Sequence, residues 1–428
     1  MRELACDVLV IGAGPAGLAA AATAAEGGSR VVVVDENPEA GGQIWRSAMV
    51  HGPHPETSAL AARALARGAR FLTGATVVDA AGANTLFAVD GAGPIMLRAG
   101  RLVLALGATE RFLPFPGWTL PGVFGVGGLQ ALAKNGLEIG NRTIAVAGSG
   151  PLLLAVAAWL EQHGAHVLGV FEQAPKASVV RFGLGLWRHP RKLAQAVALL
   201  RVLRQVPRHH DAWPLRAEGD GYVERVTFSV SGSERTLQVD YLACAFGLAP
   251  TTGLGALLGC DIAGGGIVVD ALQHTSIPEV LCAGESTGIG GVDCALAEGV
   301  VAGHVASGHD DRARAACRRR DRERGFAETL GQAYALRHEL RGLPSPETII
   351  CRCEDVPWSV VAESDDVRDA KLKTRAGMGP CQGRVCGGAL EFLKRWPRDS
   401  VRPPLIPITL GELAEVGAAL NRTEDQTR

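Results

Sequence analysis

Two cysteine pairs near the C-terminal end, Cys351-Arg-Cys353 and Cys381-Gln-Gly-Arg-Val-Cys386, are separated by 27 residues. Four thiolates in two pairs can surround two irons tetrahedrally, as in a [2Fe–2S] cluster. They can also hold one zinc, although zinc sites more often use C-x-x-C pairs, or stay free thiols. Arg352, Lys371, Lys373, Arg375 and Arg384 lie in the same segment and can offset the charge of a thiolate cluster. Gly377, Gly379, Gly383, Gly387 and Gly388 would let backbone amides approach the sulfurs. The other six cysteines, Cys6, Cys244, Cys260, Cys282, Cys294 and Cys317, are scattered in mostly apolar contexts and read as small core residues.

A second chemistry sits at the other end. Gly12, Gly14 and Gly17 fit G-x-G-x-x-G after an apolar run of strand length and before an alanine-rich helix. Gly12 permits the tight turn, Gly14 lets backbone approach a pyrophosphate, and Gly17 allows close helix–strand packing. The pyrophosphate would rest on the helix N-terminus, with Pro15 and Ala16 in the first turn. Asp35, or its neighbour Glu36, ends the next strand and can accept bonds from ribose hydroxyls. Gly41, Gly42 and Gln43 follow, and Cys282-Ala-Gly-Glu285 comes much later. The first resembles the stretch that flavoproteins of this type bring near the flavin, and the second resembles the Ala-Gly-Asp element that binds the ribityl chain in glutathione-reductase-like flavoproteins; these resemblances favour FAD over NAD. The candidate cofactor-binding set is completed by Val77, Gly107, Ala108 and Gly284.

The glycine pattern recurs 136 residues on, with Gly148 and Gly150 but Leu153 at the third position. A leucine there pushes the helix away from the strand and puts phosphate binding in doubt. Glu172 ends the following strand and keeps a ribose acceptor in place. NAD(P)H, another nucleotide and an empty relic all remain open for this second unit. No convincing acid–base or nucleophile constellation appears elsewhere.

Two βαβ beginnings in one chain require an α/β architecture in which a second Rossmann unit is inserted into the first. The composition suits it: hydrophobics are 47% but aromatics only 5%, which favours thin, close helix–strand layers. The expected division is 1–125 with 246–308 for FAD, 126–245 for the second nucleotide-like domain, and 309–346 for a helical linker. A cysteine module over 347–393 and a tail over 394–428 follow. The charged stretch Asp310–Arg324 reads as a solvated linker helix, and Pro403, Pro404 and Pro407 suggest an extended tail. A net charge of −1 offers no global case for nucleic acid. No apolar run reads as a membrane span and no leader pattern precedes the first strand, so the cytoplasm is expected, with peripheral attachment at the inner membrane face as a variant.

At this point a family is recognisable. Cys351-Arg-Cys-Glu-Asp-Val and Lys373-Thr-Arg-Ala-Gly-Met-Gly-Pro-Cys-Gln-Gly-Arg-Val-Cys-Gly387 resemble the bacterioferritin-associated-ferredoxin-like [2Fe–2S] domain. With Gly41-Gly-Gln-Ile-Trp45, Gly148-Ser-Gly-Pro-Leu-Leu-Leu154 and Pro403-Pro-Leu, nearly the whole chain is similar to one group of flavoproteins. That group holds the α subunits of opine oxidases and of D-hydroxyproline dehydrogenase, and the hydrogen cyanide synthase B subunit. The resemblance implies a glutathione-reductase-like two-dinucleotide-binding flavoprotein carrying a small iron–sulfur module. It implies FAD, a cluster on Cys351, Cys353, Cys381 and Cys386, and an FMN at a subunit interface. It further implies a β subunit resembling D-amino-acid or sarcosine oxidase, with a small third subunit as a further candidate partner. Electrons from C–N bond oxidation in the β subunit would pass through this chain to an acceptor. The alternative reading is a stand-alone NAD(P)H-dependent FAD oxidoreductase. One departure is that the loop between Cys353 and Cys381 is shorter than is usual in the group.

Overall fold

The computed structural model describes residues 1–45, 54–397 and 401–427. The chain divides into two compact units. The first comprises Met1–Thr109, Pro250–Glu328 and Arg398–Arg428; the second comprises Glu110–Ala249 and Thr329–Pro397. No helix among the described residues is long and apolar enough to cross a membrane.

The first unit is built on β1 (Arg2–Ile11), α1 (Pro15–Glu26) and β2 (Val31–Asp35). β2 has all five residues buried, as expected of a parallel strand covered on both faces. The sheet runs Arg70–Thr73, β2, β1, Gly93–Leu104, Thr85–Asp90, Thr76–Ala80, with Val280–Cys282 also paired to Gly93–Leu104. Gly93–Leu104 therefore has β1 along one edge and two successive partners along the other, Thr85–Asp90 beside its first half and Val280–Cys282 beside its end. It lies parallel to β1 and Val280–Cys282, and antiparallel to Thr85–Asp90.

Small residues set the helix packing. Ten of the twelve residues of α1 are buried. Where α1 meets the helix Val292–Ala306, a Cβ on Gly299 would strike the Ala16 carbonyl, and one on Gly303 the Ala20 carbonyl. That close approach is available only to glycine, and it brings the segment before the second helix against the first turn of α1.

Two expectations change in this unit. The tail is helical over Leu410–Thr427. Thr409 and Glu412 form a capping box: the Glu412 amide donates to Thr409 Oγ1 (3.3 Å) and the Thr409 amide to Glu412 Oε2 (2.8 Å). The helix buries Val416 and Ala419 on Val78, Phe87 and Met96. The charged helix spans Asp310–Ala333 and is not simply solvated. Arg320 is 3% exposed, and its guanidinium donates to the Ala271 carbonyl and Gln273 Oε1.

The second unit repeats the βαβ start with β3 (Thr143–Ser149), α2 (Leu152–Gln162) and β4 (His166–Glu172). Its parallel sheet runs Arg208–His209, β4, β3, Tyr241–Phe246, Val123–Gly125. After β4 come α3 (Lys176–Gly185) and α4 (Pro190–Val202), and then an antiparallel three-stranded sheet, Ala212–Glu218, Arg225–Val230, Ser233–Gln238. The cysteine segment has a small core of its own, which includes Ile350, Val361, Ala389, Leu390 and Trp396. It is also tied into the rest of the unit. Trp118 Nε1 donates to the Ile349 carbonyl at 2.6 Å, and Arg341 Nε to the Phe392 carbonyl at 3.1 Å. Arg111 pairs with Glu391 at 3.2 Å.

Candidate functional site

In the first unit the glycine turn is shaped by contacts that leave it open on one side. Gly12 sits at φ +104°, and a Cβ there would enter the Ala105 carbonyl. A Cβ on Gly17 would enter the Gly12 carbonyl. Gly14 differs: its φ is −74°, and a Cβ would meet only the Gly42 Cα, at 3.8 Å. Gly42, at φ +59°, would put a Cβ 2.9 Å from the Gly14 Cα. The backbone of Gly41–Gly42 is held there by the Gly41 amide donating to the Ala13 carbonyl at 2.8 Å. Pro15 opens α1, and neither a side-chain cap nor an acid in the first turn neutralises its amides. The result is an uncapped helix N-terminus facing an open cradle that the backbone of Gly14 and Gly42 lines.

Asp35 is 7% exposed, and both its oxygens accept bonds from the protein. The Ala13 amide donates to Oδ2 at 2.5 Å; the Asn37 amide and Nδ2 donate to Oδ1, each at 2.8 Å. Asp35 thus fixes the glycine turn, while Glu36 beside it is exposed. Gln43 is exposed on the short helix Gly42–Trp45. Val77 is buried in the strand Thr76–Ala80, opposite Ala88. Gly107, at φ +73°, accepts from the Thr251 amide (3.0 Å) and Ser286 Oγ (3.3 Å) through its carbonyl, with Ala108 half-buried beside it.

Gly284, at φ +80°, lies against the first turn of α1: its Cβ would come 2.7 Å from Ala16 Cβ. Glu285 is therefore delivered close to the glycine turn. Its Oε1 accepts from the Gly291 amide at 2.7 Å, while Oε2 is buried with no hydrogen-bond partner. Burial pushes this carboxyl above the usual range. A buried unpaired carboxylate oxygen costs free energy unless a donor reaches it, and a ligand hydroxyl would do so.

Behind Glu285 lies a residue that the sequence reading missed. Glu298 is 2% exposed on the helix Val292–Ala306. Its Oε2 accepts from the Gly284 amide (2.8 Å) and Thr287 Oγ1 (3.0 Å), and its Oε1 from Arg324 Nε (2.6 Å). Arg324 and Arg320 both reach Gln273 Oε1. An acid inside an apolar helical run was the available signal, because such an acid is buried only when paired.

The second nucleotide-like site is filled differently. Gly148, at φ +132°, packs on the Ala245 carbonyl as Gly12 does on Ala105. Leu153 is 1% exposed and joins the core with Ile144, Val146 and Val156. Glu172 accepts from the Gly150 amide (2.7 Å) and the Ala174 amide (2.9 Å), and burial pushes its carboxyl up to about 7. The segment Tyr334–Arg337 lies across the carboxyl ends of β3 and β4. Ser149 Oγ donates to the Tyr334 carbonyl at 2.9 Å. The Gln173 amide nitrogen donates to Ser149 Oγ (2.9 Å) and to the Ala335 carbonyl (3.2 Å). The Arg337 amide donates back to Gln173 Oε1 at 3.2 Å. The Tyr334 ring stands edge-on to Phe182, and burial, with the Glu172 charge adding to it, pushes its hydroxyl up. In open α/β sheets this crevice is where nucleotides bind. Here the chain's own backbone uses its polar groups. No residue pattern in the linker announces this, because the partners lie more than 160 positions away.

The four clustered thiols come together as two contacting pairs. Cys351, at the end of the strand Ile349–Cys351, accepts a hydrogen bond from Cys386 at the start of the helix Cys386–Lys394. Cys353 pairs with Cys381. The bond from Cys386 draws the Cys351 thiol down to about 5, while Cys386 is raised. The Gly377 amide points at Cys351 Sγ at 3.4 Å. A Cβ on Gly377 would lie 3.8 Å from Cys386 Sγ, and one on Gly379 would clash with Cys353 Cβ. Among the described residues, no three His, Cys, Asp or Glu side chains converge as a ready-made metal site. What the thiol chemistry does supply is two soft-ligand pairs and an amide aimed at sulfur.

A family model described as pyridine nucleotide-disulphide oxidoreductase matches residues 6–299, and the chain belongs to that family. It is an oxidoreductase with an FAD-binding, mixed α/β fold. Over 469 aligned residues it is 34% identical to the opine oxidase A subunit of Rhizobium meliloti (strain 1021), covering 96% of this chain and 98% of that one. It is 31% identical to the hydrogen cyanide synthase subunit HcnB of Pseudomonas aeruginosa, again over 96% and 98% of the two chains. Among solved structures, L-proline dehydrogenase from P. horikoshii shares the fold with a TM-score of 0.67 at 20% identity, over 96% of this chain and 80% of that one. Both sequence relatives are, by name, subunits of larger enzymes.

Proposed function

We propose that this chain is the flavin- and iron–sulfur-bearing electron-transfer subunit of a heteromeric amine or amino-acid dehydrogenase. The observation that carries the reading is the coexistence of an open dinucleotide cradle and two thiol pairs in a chain whose second nucleotide crevice is closed by its own residues. FAD would be held by Gly12, Gly14, Pro15, Ala16 and Gly17 at the pyrophosphate. Asp35, which also accepts from the Ala13 amide, or Glu36 beside it would take the adenosine ribose. Gly42 and Gln43, Gly107 and Ala108, and the Val77 strand would hold the rest, and Glu285 Oε2 would be the acceptor for a ribityl hydroxyl. Cys351, Cys353, Cys381 and Cys386 would hold a [2Fe–2S] cluster. Such a pair of groups exchanges a two-electron donor for a one-electron path.

The chain's residues do the positioning. α1 aims amides at the phosphates, Glu298 and Arg324 fix Gly284–Glu285, and Gly377 steadies Cys351. Substrate oxidation at the C–N bond is assigned to a β subunit resembling D-amino-acid or sarcosine oxidase, with an FMN at their interface and a small third subunit as a further candidate. A stand-alone NAD(P)H-dependent reductase would need the crevice that Tyr334–Arg337 covers. The test is purification of the tagged chain from its native host. A flavin-containing partner and amine-dependent dye reduction by the complex are expected. A chain that purifies alone and oxidises NADH would overturn the proposal.

A further inference from the structure

The stretch from Gln173 to His210 contains eight Lys and Arg residues and no Asp or Glu, in a chain whose net charge is −1. It folds as α3 and α4, neither of which contributes a fully buried residue. The inner side of α4 packs on α2 and joins the core behind it through Leu199 and Val202. The outward side is not polar. Val180, Leu184 and Trp187 follow one another at helical spacing and are 49%, 72% and 69% exposed. Leu193, Val197 and Leu200 repeat that spacing on α4 and are 37%, 38% and 39% exposed. Single exposed leucines are ordinary; two successive stripes with a tryptophan between the helices are not. Cations flank both stripes: the Arg188 guanidinium lies 5.3 Å from the Trp187 ring, and Arg201 and Arg204 line a shallow groove with Val197 and Leu200.

The partner that fits must be anionic over an extended area and must accept apolar side chains between its charges. A protein partner for eight cations with no acid among them would need a face equally rich in carboxylates, whereas interface cores are depleted in charged residues as a whole. A bilayer surface does match: phosphates take the guanidinium and ammonium groups, while Trp, Leu and Val enter the headgroup–acyl boundary. We propose that α3 and α4 form a docking surface for an anionic phospholipid bilayer, with Trp187 and the two apolar stripes inserted and Arg188, Arg201 and Arg204 against the phosphates. This surface goes beyond the electron-transfer role proposed above and stands without it.

The experiment is vesicle flotation of the full chain. Vesicles of equimolar phosphatidylglycerol and phosphatidylcholine should carry the protein at low salt and release much of it at high salt, and vesicles of phosphatidylcholine alone should leave it behind. This comparison needs no variant. The triple substitution Arg188→Gln, Arg201→Gln, Arg204→Gln should lower the partition coefficient roughly 100-fold, at about fivefold per cation. Trp187→Ser should lower it roughly 10-fold. Melting temperatures should be unchanged, since these side chains are exposed. Equal binding to both vesicles, binding to neither, or wild-type binding by the folded triple variant would overturn the proposal. So would finding that the variants abolish self-association or capture of a partner protein while the wild-type chain ignores anionic vesicles.

Discussion

Replacing Gly14 separates folding from flavin binding. Gly14 has φ −74° and ψ −175°, which alanine adopts freely, and its Cβ would meet only Gly42 Cα at 3.8 Å. The new methyl therefore costs the protein little and projects into the cradle. A phosphate displaced by it would lose about two charge-assisted amide bonds, each worth about 1.5–3 kcal/mol. The expected loss is about 3–6 kcal/mol, or roughly 10²–10⁴-fold in Kd for FAD. Gly14→Val, with two more methyl groups, should bind no detectable flavin. Gly17→Ala is the contrasting case: its Cβ would enter the Gly12 carbonyl, so the apoprotein itself should lose stability. The assay is titration of apoprotein with FAD by flavin fluorescence quenching, beside thermal unfolding by circular dichroism. A folded Gly14→Ala chain with wild-type FAD affinity would refute the reasoning. So would a Gly14→Ala chain that loses flavin only because it unfolds.

Three further outcomes follow from named contacts. Neither NADH nor NADPH should bleach the bound flavin quickly in an anaerobic stopped-flow experiment, because Tyr334–Arg337 bonds Ser149 and Gln173 across the second crevice. Arg324→Leu should cost about 3–5 kcal/mol, seen as a lowered denaturation midpoint, because it leaves the 2%-exposed Glu298 carboxylate without its cation. Glu172 has its carboxyl raised from 4.5 to about 7 by burial, so the folded state holds a proton that the unfolded chain has released. Its contribution to stability should be fully present below pH 4.5, fall as pH rises toward about 7, and then level off, by about 3 kcal/mol in all. Glu172→Gln should flatten that part of the stability–pH curve, and an unchanged curve would count against the burial argument.

The first βαβ unit was legible because each of its constraints is local: a strand, a glycine turn and a helix within about twenty-five residues. The same holds for β3–α2–β4, where Leu153 marked the departure and takes its place in the core. What the sequence could not convey depends on distant partners. Asp35 read as a ribose ligand; the structure adds that it also accepts from the Ala13 amide and from Asn37, which ties it to the glycine turn. The charged linker looked solvated, yet Arg320 and Arg324 reach Gln273. The helix at Leu410–Thr427 did have a local signature, Thr409 three residues before Glu412, which the nearby prolines obscured. The cysteine spacing pointed to four ligands. The structure adds that Cys351 with Cys386 and Cys353 with Cys381 are the pairs in contact.

The proposed role rests on one chain carrying both a flavin and a one-electron centre. The direct measurement is an anaerobic reductive titration of the purified, iron-replete chain, followed by electron paramagnetic resonance and by iron and sulfide analysis of the same sample. The account predicts uptake of three electrons per chain, two irons and two sulfides, and a reduced-cluster signal that disappears in Cys381→Ala while the flavin stays bound. Uptake of two electrons only, with zinc or no metal on the four cysteines and no signal after reduction, would contradict it.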